Sequence, residues 1–221
     1  MAAGTTPMPR RAMNVVFAGV CLAATVVAVL LLIVLLHNLI TGGAGRLNIP
    51  FFTEFASRFP AKSGIKAALL GTVWVVVLTG LISVPVGVAA AIYLEEFATR
   101  KNRLTEFVQL NISNLAGVPS IVYGLLGLAI FVRGMDLGRS ILSGALTMSL
   151  LILPLLITVA QEALRAVPRS YRDGSYALGA TPWQTIRRQV LPAAAPGIFT
   201  GIILALSRAM GETAPLIVVG A

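Results

Sequence analysis

The chain has 221 residues, 57% of them hydrophobic and only 11% charged, with a mean hydropathy of +0.90. Ordinary soluble domains carry about 25% charged residues, so the composition excludes a soluble globular domain and marks an integral membrane protein. The net charge of +9 is spread between apolar runs rather than gathered on one basic face, which excludes a nucleic-acid partner. One cysteine, Cys21, and one histidine, His37, leave no disulfide framework and too few ligands for metal chemistry.

A spanning helix needs about 20 mostly apolar residues. Residues 1–12 read as a short tail. Met13 to Ile40 supplies the first span, too long for the apolar region of a signal peptide and without its small-residue cleavage site. Residues 41–65, with Pro50, Pro60, Phe51, Phe52, Phe55 and Phe59, read as an external segment along the membrane surface. Lys66 to Leu94, which contains Pro85, is the second span. Leu115 to Val132 is the third, after a more polar approach from Glu106 to Asn114. Ile141 to Leu164, with Pro154, is the fourth. The fifth starts at Leu191 and continues toward Val219, interrupted by Arg208 and Glu212. Prolines inside such helices are tolerated because neighbouring groups satisfy the freed backbone. The expected fold is all-α: a polytopic membrane helical bundle of five spans, one domain over 13–221 with its core at 66–221.

Lys and Arg in the loops set orientation. Arg10, Arg11, Arg100, Lys101, Arg103, Arg165, Arg169, Arg172, Arg187 and Arg188 fall on one side. Arg46, Arg58, Lys62, Lys66, Arg133 and Arg139 fall on the other. This bias puts the N-terminus and the loop 168–190 in the cytoplasm.

That loop, SYRDGSYALGATPWQTIRRQVLP over 170–192, carries dense helix punctuation. Ser170 with Asp173 has the spacing of a capping box. Gly179 stands where a left-handed residue ends a helix. Thr181, Pro182 and Gln184 restart one, as N-cap, first helical residue and third. Trp183, Ile186 and Val190 share a face, with Gln184, Arg187 and Arg188 facing elsewhere.

Asp173-Gly174-Ser175, Gly179 and Leu191-Pro192 resemble the EAA loop of ABC importer permeases. The spacing matches throughout, the identities at Gly179, Leu191 and Pro192, while Asp173 replaces Glu, Gly174 and Ser175 replace alanines and Gln189 replaces Ile. LAGVPSIVYGLLGL (115–128) and SRAMGETAP (207–215) are similar to the third- and fifth-helix stretches of phosphate-importer permeases. The resemblance covers roughly residue 66 onward. It implies the type I importer (MetI-like) permease fold and an inner-membrane location. It implies a coupling contact from Asp173 through Gly174, Ser175, Tyr176, Ala177, Leu178, Gly179 and Ala180 to Thr181, with Trp183 and Ile186 anchoring the loop on the membrane domain. It also implies partners: a second homologous permease, two copies of an ATP-binding subunit and an external phosphate-binding protein. Members of that family have one more span and a short tail, so the chain is expected to be a truncated piece.

Arg208 and Glu212 are four apart on the fifth run, hence able to pair on one helical face. Charges within a span are expensive and often mark a substrate path. With the resemblance, Arg208 and Glu212 become candidates to line a phosphate path, with Ser120 and Tyr123 beside them. The alternative is that Arg208 snorkels to the outer interface, since about 1.5 Å per residue from Leu191 puts it roughly 26 Å along. Small residues Ser120, Gly124 and Gly127 also suit close helix packing.

No GxxxxGK[ST], G-x-S-x-G or H-E-x-x-H motif occurs. The expectation is a permease subunit and not an enzyme, with no cofactor on this chain and ATP-Mg handled by a partner subunit. Other readings stay open: a permease for molybdate or sulfate, a non-transporting membrane scaffold or sensor, or a secondary transporter.

Overall fold

The computed structural model describes residues 10–59, 62–98 and 103–220, with Arg10 and Arg11 described by backbone alone. Pro60, Arg100, Lys101 and most of the tail 1–12 lie outside the described residues. The chain divides into two units at Ala67/Ala68.

The first unit is dominated by helix α1, Arg10–Gly43, whose side chains from Ala12 to Gly42 are all exposed. At 34 residues it is about 51 Å long, more than the roughly 30 Å hydrocarbon layer requires. A 3₁₀ turn, Ala44–Arg46, leads to the short helix α2, Ile49–Thr53. Asn48 caps α2 by accepting from Phe51 N at 3.1 Å. The chain then folds back: Gly64 N donates to Phe55 O, Ile65 N to Phe51 O and Lys66 N to Glu54 O. Gly64 passes so close to the Glu54 carbonyl that a Cβ would collide with backbone there. The Lys66 ammonium covers the Phe55 ring at 5.1 Å.

The second unit is a bundle around α6, Ile141–Arg165, the helix with most of its apolar stretch buried. Ser140 caps it by accepting from Ser143 N at 3.2 Å. Three helices press on α6 through glycines, as expected where lipid supplies no hydrophobic drive and close backbone approach must hold the bundle. Helix α3, Lys66–Ile92, meets it at Gly87 against Leu156. Helix α5, Ser120–Gly127, meets it at Gly127 against Thr147. Helix α9, Leu191–Gly211, meets it at Gly197 against Ala163 and at Gly201 against Val159. Buried hydroxyls reinforce the α3–α6 seam: Thr79 Oγ1 donates to Ala145 O at 3.3 Å and Ser149 Oγ to Thr79 O at 3.4 Å.

Among the described residues, four helices are long and apolar enough to cross a membrane: α1, α3 with its extension to Phe97, α6, and Pro182–Gly211. The expected third span is different. Arg103–Leu115 (α4) and Ser120–Gly134, in which α5 continues through a widened turn at Leu128–Gly134, form a pair bent by 105°. Helix α5 therefore starts at Ser120 rather than Leu115: Pro119 has no N–H to donate to a continuing helix, disfavours helical geometry in the residue before it, and is itself extended at ψ 136°. The fifth apolar run is likewise not one helix. It ends at Gly211, and a separate helix α10, Ala214–Val219, turns back to pack on α5, with Pro215 against Gly124.

Candidate functional site

The loop that the sequence singles out is a helical hairpin. Helix α7 spans Arg169–Ala177 and follows Pro168, whose extended ψ of 142° sets its start. Ser170 is thus inside the first turn, and the capping box expected of Ser170 and Asp173 does not form. Proline already supplies the non-helical residue ahead of the helix.

The other end is as the residues dictate. Gly179 has φ +80°, Gly179 N donates to Tyr176 O at 2.9 Å and Ala180 N to Ser175 O at 3.2 Å. These two bonds are a Schellman turn, which satisfies helix-end carbonyls by placing a glycine in the left-handed region. Thr181 then opens α8, Pro182–Thr185, with both halves of a capping box: Gln184 N donates to Thr181 Oγ1 at 3.3 Å and Thr181 N to Gln184 Oε1 at 2.9 Å. Of the nine residues from Asp173 to Thr181, only Ser175 and Ala180 are half-buried and the rest are exposed. Leu178, 90% exposed, stands at the tip.

Helix α8 does not stop at Leu191-Pro192. It runs through one widened turn, Ile186–Val190, in which Leu191 N bonds five residues back to Ile186 O, and continues as α9. Pro192 has no N–H and its ring crowds the carbonyl four residues before it, which the wider turn relieves. The anchors also differ from expectation. Ile186 and Val190 are buried, but Trp183 is 56% exposed, and Thr185 takes the inner place. It does so because its hydroxyl meets that of Ser175 at 2.9 Å, tying the two arms of the hairpin together.

The sequence reading missed how the hairpin is held to the bundle. Helix α3 ends in a widened turn, Tyr93–Phe97, carrying Glu95 and Glu96. Arg172 reaches back to Glu96 with both Nε (3.2 Å) and Nη2 (2.5 Å), and also donates to Val167 O (2.9 Å) and Leu164 O (3.0 Å). The hydrogen bond to Glu96 raises the Arg172 pKa above its usual value against the opposing effect of burial, so the guanidinium stays charged. Arg165 makes a more exposed pair with Glu95 at 2.9 Å. The charges were visible in the sequence, but 76 residues separate Arg172 from Glu96 and no spacing rule connects them.

The second cluster lies where α4 breaks. Ser120, Tyr123 and Arg208 line one small cavity with Leu115, Ala116, Val118, Leu151 and Leu155, about 40 Å³ in volume. That is room for little more than one water molecule. Tyr123 is buried, and its hydroxyl donates to Leu115 O at 2.9 Å, a carbonyl at the break that also accepts from Val118 N at 3.1 Å. Arg208 is in the last turn of α9, and Glu212 is the residue that ends that helix, with ψ 115°. The i,i+4 pair expected of them forms, with Nε and Oε1 3.7 Å apart. The antiparallel contacts of Gly197 with Ala163 and Gly201 with Val159 put Arg208 level with Ile152. It is thus about 20 Å inside the Arg165 end of α6 and near that helix's middle. Leu191 lies about 6 Å beyond the end of α6, so the roughly 26 Å counted from it corresponds to about 20 Å along α6.

A broken helix set into a bundle, beside a rigid exposed hairpin, is the architecture of a membrane-transport permease. Residues 83–221 match the family model for the binding-protein-dependent transport system inner membrane component, and the chain belongs to that family. It is 36% identical over 199 residues to the probable ABC transporter permease protein YqgI of Bacillus subtilis, covering 90% of this chain and 66% of that one. It is 41% identical over 156 residues to the phosphate transport system permease protein PstA 1 of Mycobacterium tuberculosis, covering 70% and 50%. It is 33% identical over 208 residues to the phosphate transport system permease protein PstA of Haemophilus influenzae, covering 94% and 73%. The chain spans about half to three-quarters of the length of these relatives.

Proposed function

We propose that this chain is the membrane-spanning permease subunit of an ATP-driven importer that carries inorganic phosphate across the inner membrane. The observation that carries the reading is the meeting of Ser120, Tyr123 and Arg208 at mid-height of α6, in a chain whose relatives include phosphate transport system permeases. A guanidinium binds phosphate oxygens in a planar fork that an ammonium cannot reproduce. Glu212 holds Arg208 between passages of the anion, at a distance loose enough to yield to it. Tyr123 fixes the break in α4–α5, and its ring and Ser120 form the wall. The cavity is a closed stage of the path, and transport requires α9 and the broken helix to part.

The driving force comes from partners. ATP-Mg is hydrolysed on a separate subunit present in two copies, a second homologous permease completes the path, and an external binding protein delivers phosphate. The hairpin α7–α8 and the N-terminus face the cytoplasm, where residues Asp173 to Thr181 dock on the ATPase.

The test is phosphate uptake by the assembled transporter carrying Arg208→Gln or Arg208→Lys. At least a tenfold loss in the Gln variant, with a smaller loss in the Lys variant and the ATPase subunit still copurifying, is expected. Native uptake by Arg208→Gln would remove Arg208 from the path. Competition by molybdate or sulfate in place of phosphate would reassign the anion. A stable chain that captures no ATPase would make it a scaffold or sensor.

A further inference from the structure

A push on the tip of the hairpin has to reach the helices that line the path, and the joints available to carry it differ in quality. Arg165–Glu95 is a rim contact, with the arginine side chain 48% exposed, and such pairs are weakly held in solvent. Arg172–Glu96 is enclosed, at 18% and 7% exposure. Its guanidinium commits four of its five N–H donors. Two go to a carboxylate on the end of α3, and two go to the carbonyls of Leu164 and Val167 where α6 ends. Arg172 itself sits in the first half of α7, six residues before Leu178. One side chain thus joins three helices at one point, and the planar fork fixes angle as well as distance. Across the hairpin, Ser175 and Thr185 tie α7 to the helix that continues into α9 and carries Arg208.

We propose that Arg172, clamped to Glu96, is the positioning residue that converts displacement of the α7–α8 hairpin into joint movement of the ends of α3 and α6. The inference rests on the coupling role proposed for the hairpin. Without the clamp, α7 would swing on its own while the bundle stays closed. ATP would then be hydrolysed without opening the path.

The experiment compares the native assembled transporter with Arg172→Gln, Arg172→Lys and Glu96→Gln in proteoliposomes. It reads phosphate taken up per ATP hydrolysed together with the amount of ATPase subunit retained. Arg172→Gln is expected to keep the ATPase subunit and its hydrolysis while uptake per ATP falls at least tenfold. Arg172→Lys, a point charge that cannot hold carboxylate and carbonyls together, falls only partly short of that. Glu96→Gln keeps hydrogen-bonding capacity and leaves the helix-end bonds of Arg172 intact, so it reports on the clamp should Arg172→Gln fail to fold. Its uptake per ATP is expected to fall several-fold. A native ratio in Glu96→Gln, or in a folded Arg172→Gln, overturns the proposal, as does a parallel loss of uptake, hydrolysis and assembly in every variant. If the native chain itself binds no ATPase, the coupling reading of the hairpin fails instead.

Discussion

Gln109 and Gln161 exchange two amide hydrogen bonds, Gln109 Nε2 to Gln161 Oε1 at 3.2 Å and Gln161 Nε2 to Gln109 Oε1 at 3.1 Å. The pair ties α4 to α6 at a point where Gln161 is 2% exposed. Each amide satisfies the other, so loss of the half-buried Gln109 alone leaves the buried Gln161 amide unpaired. Gln109→Leu is expected to lower stability by about 1–3 kcal/mol, while the double change Gln109→Leu/Gln161→Leu costs much less. Melting of the purified protein in detergent for the two singles and the double checks this. Additive losses would show that the pair does not act as a unit.

Gly127 has no room for a methyl group. A Cβ there would strike the Thr147 side chain, whose hydroxyl is already donating to Ser143 O at 2.7 Å. Gly127→Ala should therefore destabilise by about 1–3 kcal/mol. Adding Thr147→Ala should recover most of that by clearing the space. Detergent melting again reads the outcome, and failure of the second change to rescue would place the strain elsewhere.

At Gly179 the constraint is torsional instead. Nothing lies within 4 Å of an added Cβ, so only the φ of +80° resists a side chain. Gly179→Ala is expected to cost roughly 1–2 kcal/mol, and Gly179→Asn less, because asparagine visits the left-handed region. If the turn aims the hairpin, recovery of the ATPase subunit on purification should rank native, Asn, Ala. Equal recovery would detach the turn from partner binding.

Leu178 offers a test free of folding effects. With 90% of its surface exposed, its removal should shift stability by no more than about 0.5 kcal/mol. Under the coupling reading, Leu178→Ala nevertheless weakens capture of the ATPase, and Leu178→Glu abolishes it. Undiminished capture by the Glu variant would move the docking surface to another part of the hairpin.

Chain-local chemistry was legible without coordinates. The apolar runs gave α1, α3 and α6 to within a few residues at each end. The Schellman turn at Gly179 and the capping box of Thr181 and Gln184 followed from residue types at fixed short spacing. Hydrogen bonds between neighbours in the chain have few alternatives, so their signature survives in the sequence. The bend before Ser120 was available too, in Pro119, but the surrounding apolar residues read as one uninterrupted span.

What the tertiary structure alone decided are the contacts between distant positions. Hydropathy is blind to depth, so only the glycine contacts of α9 with α6 could place Arg208 near the middle of the bundle beside Ser120 and Tyr123. The resemblance made Trp183 an anchor, whereas the structure turns Thr185 inward, bonded to Ser175, and leaves Trp183 exposed. No spacing rule joins Arg172 to Glu96, because an ion pair between two helices depends on where each helix ends. The chain by itself determined the long apolar helices α1, α3 and α6 and how the hairpin turns. Packing of the backbone at Gly87, Gly127, Gly197 and Gly201 against side chains of α6 decided which groups meet, since in lipid that close fit holds the helices in register.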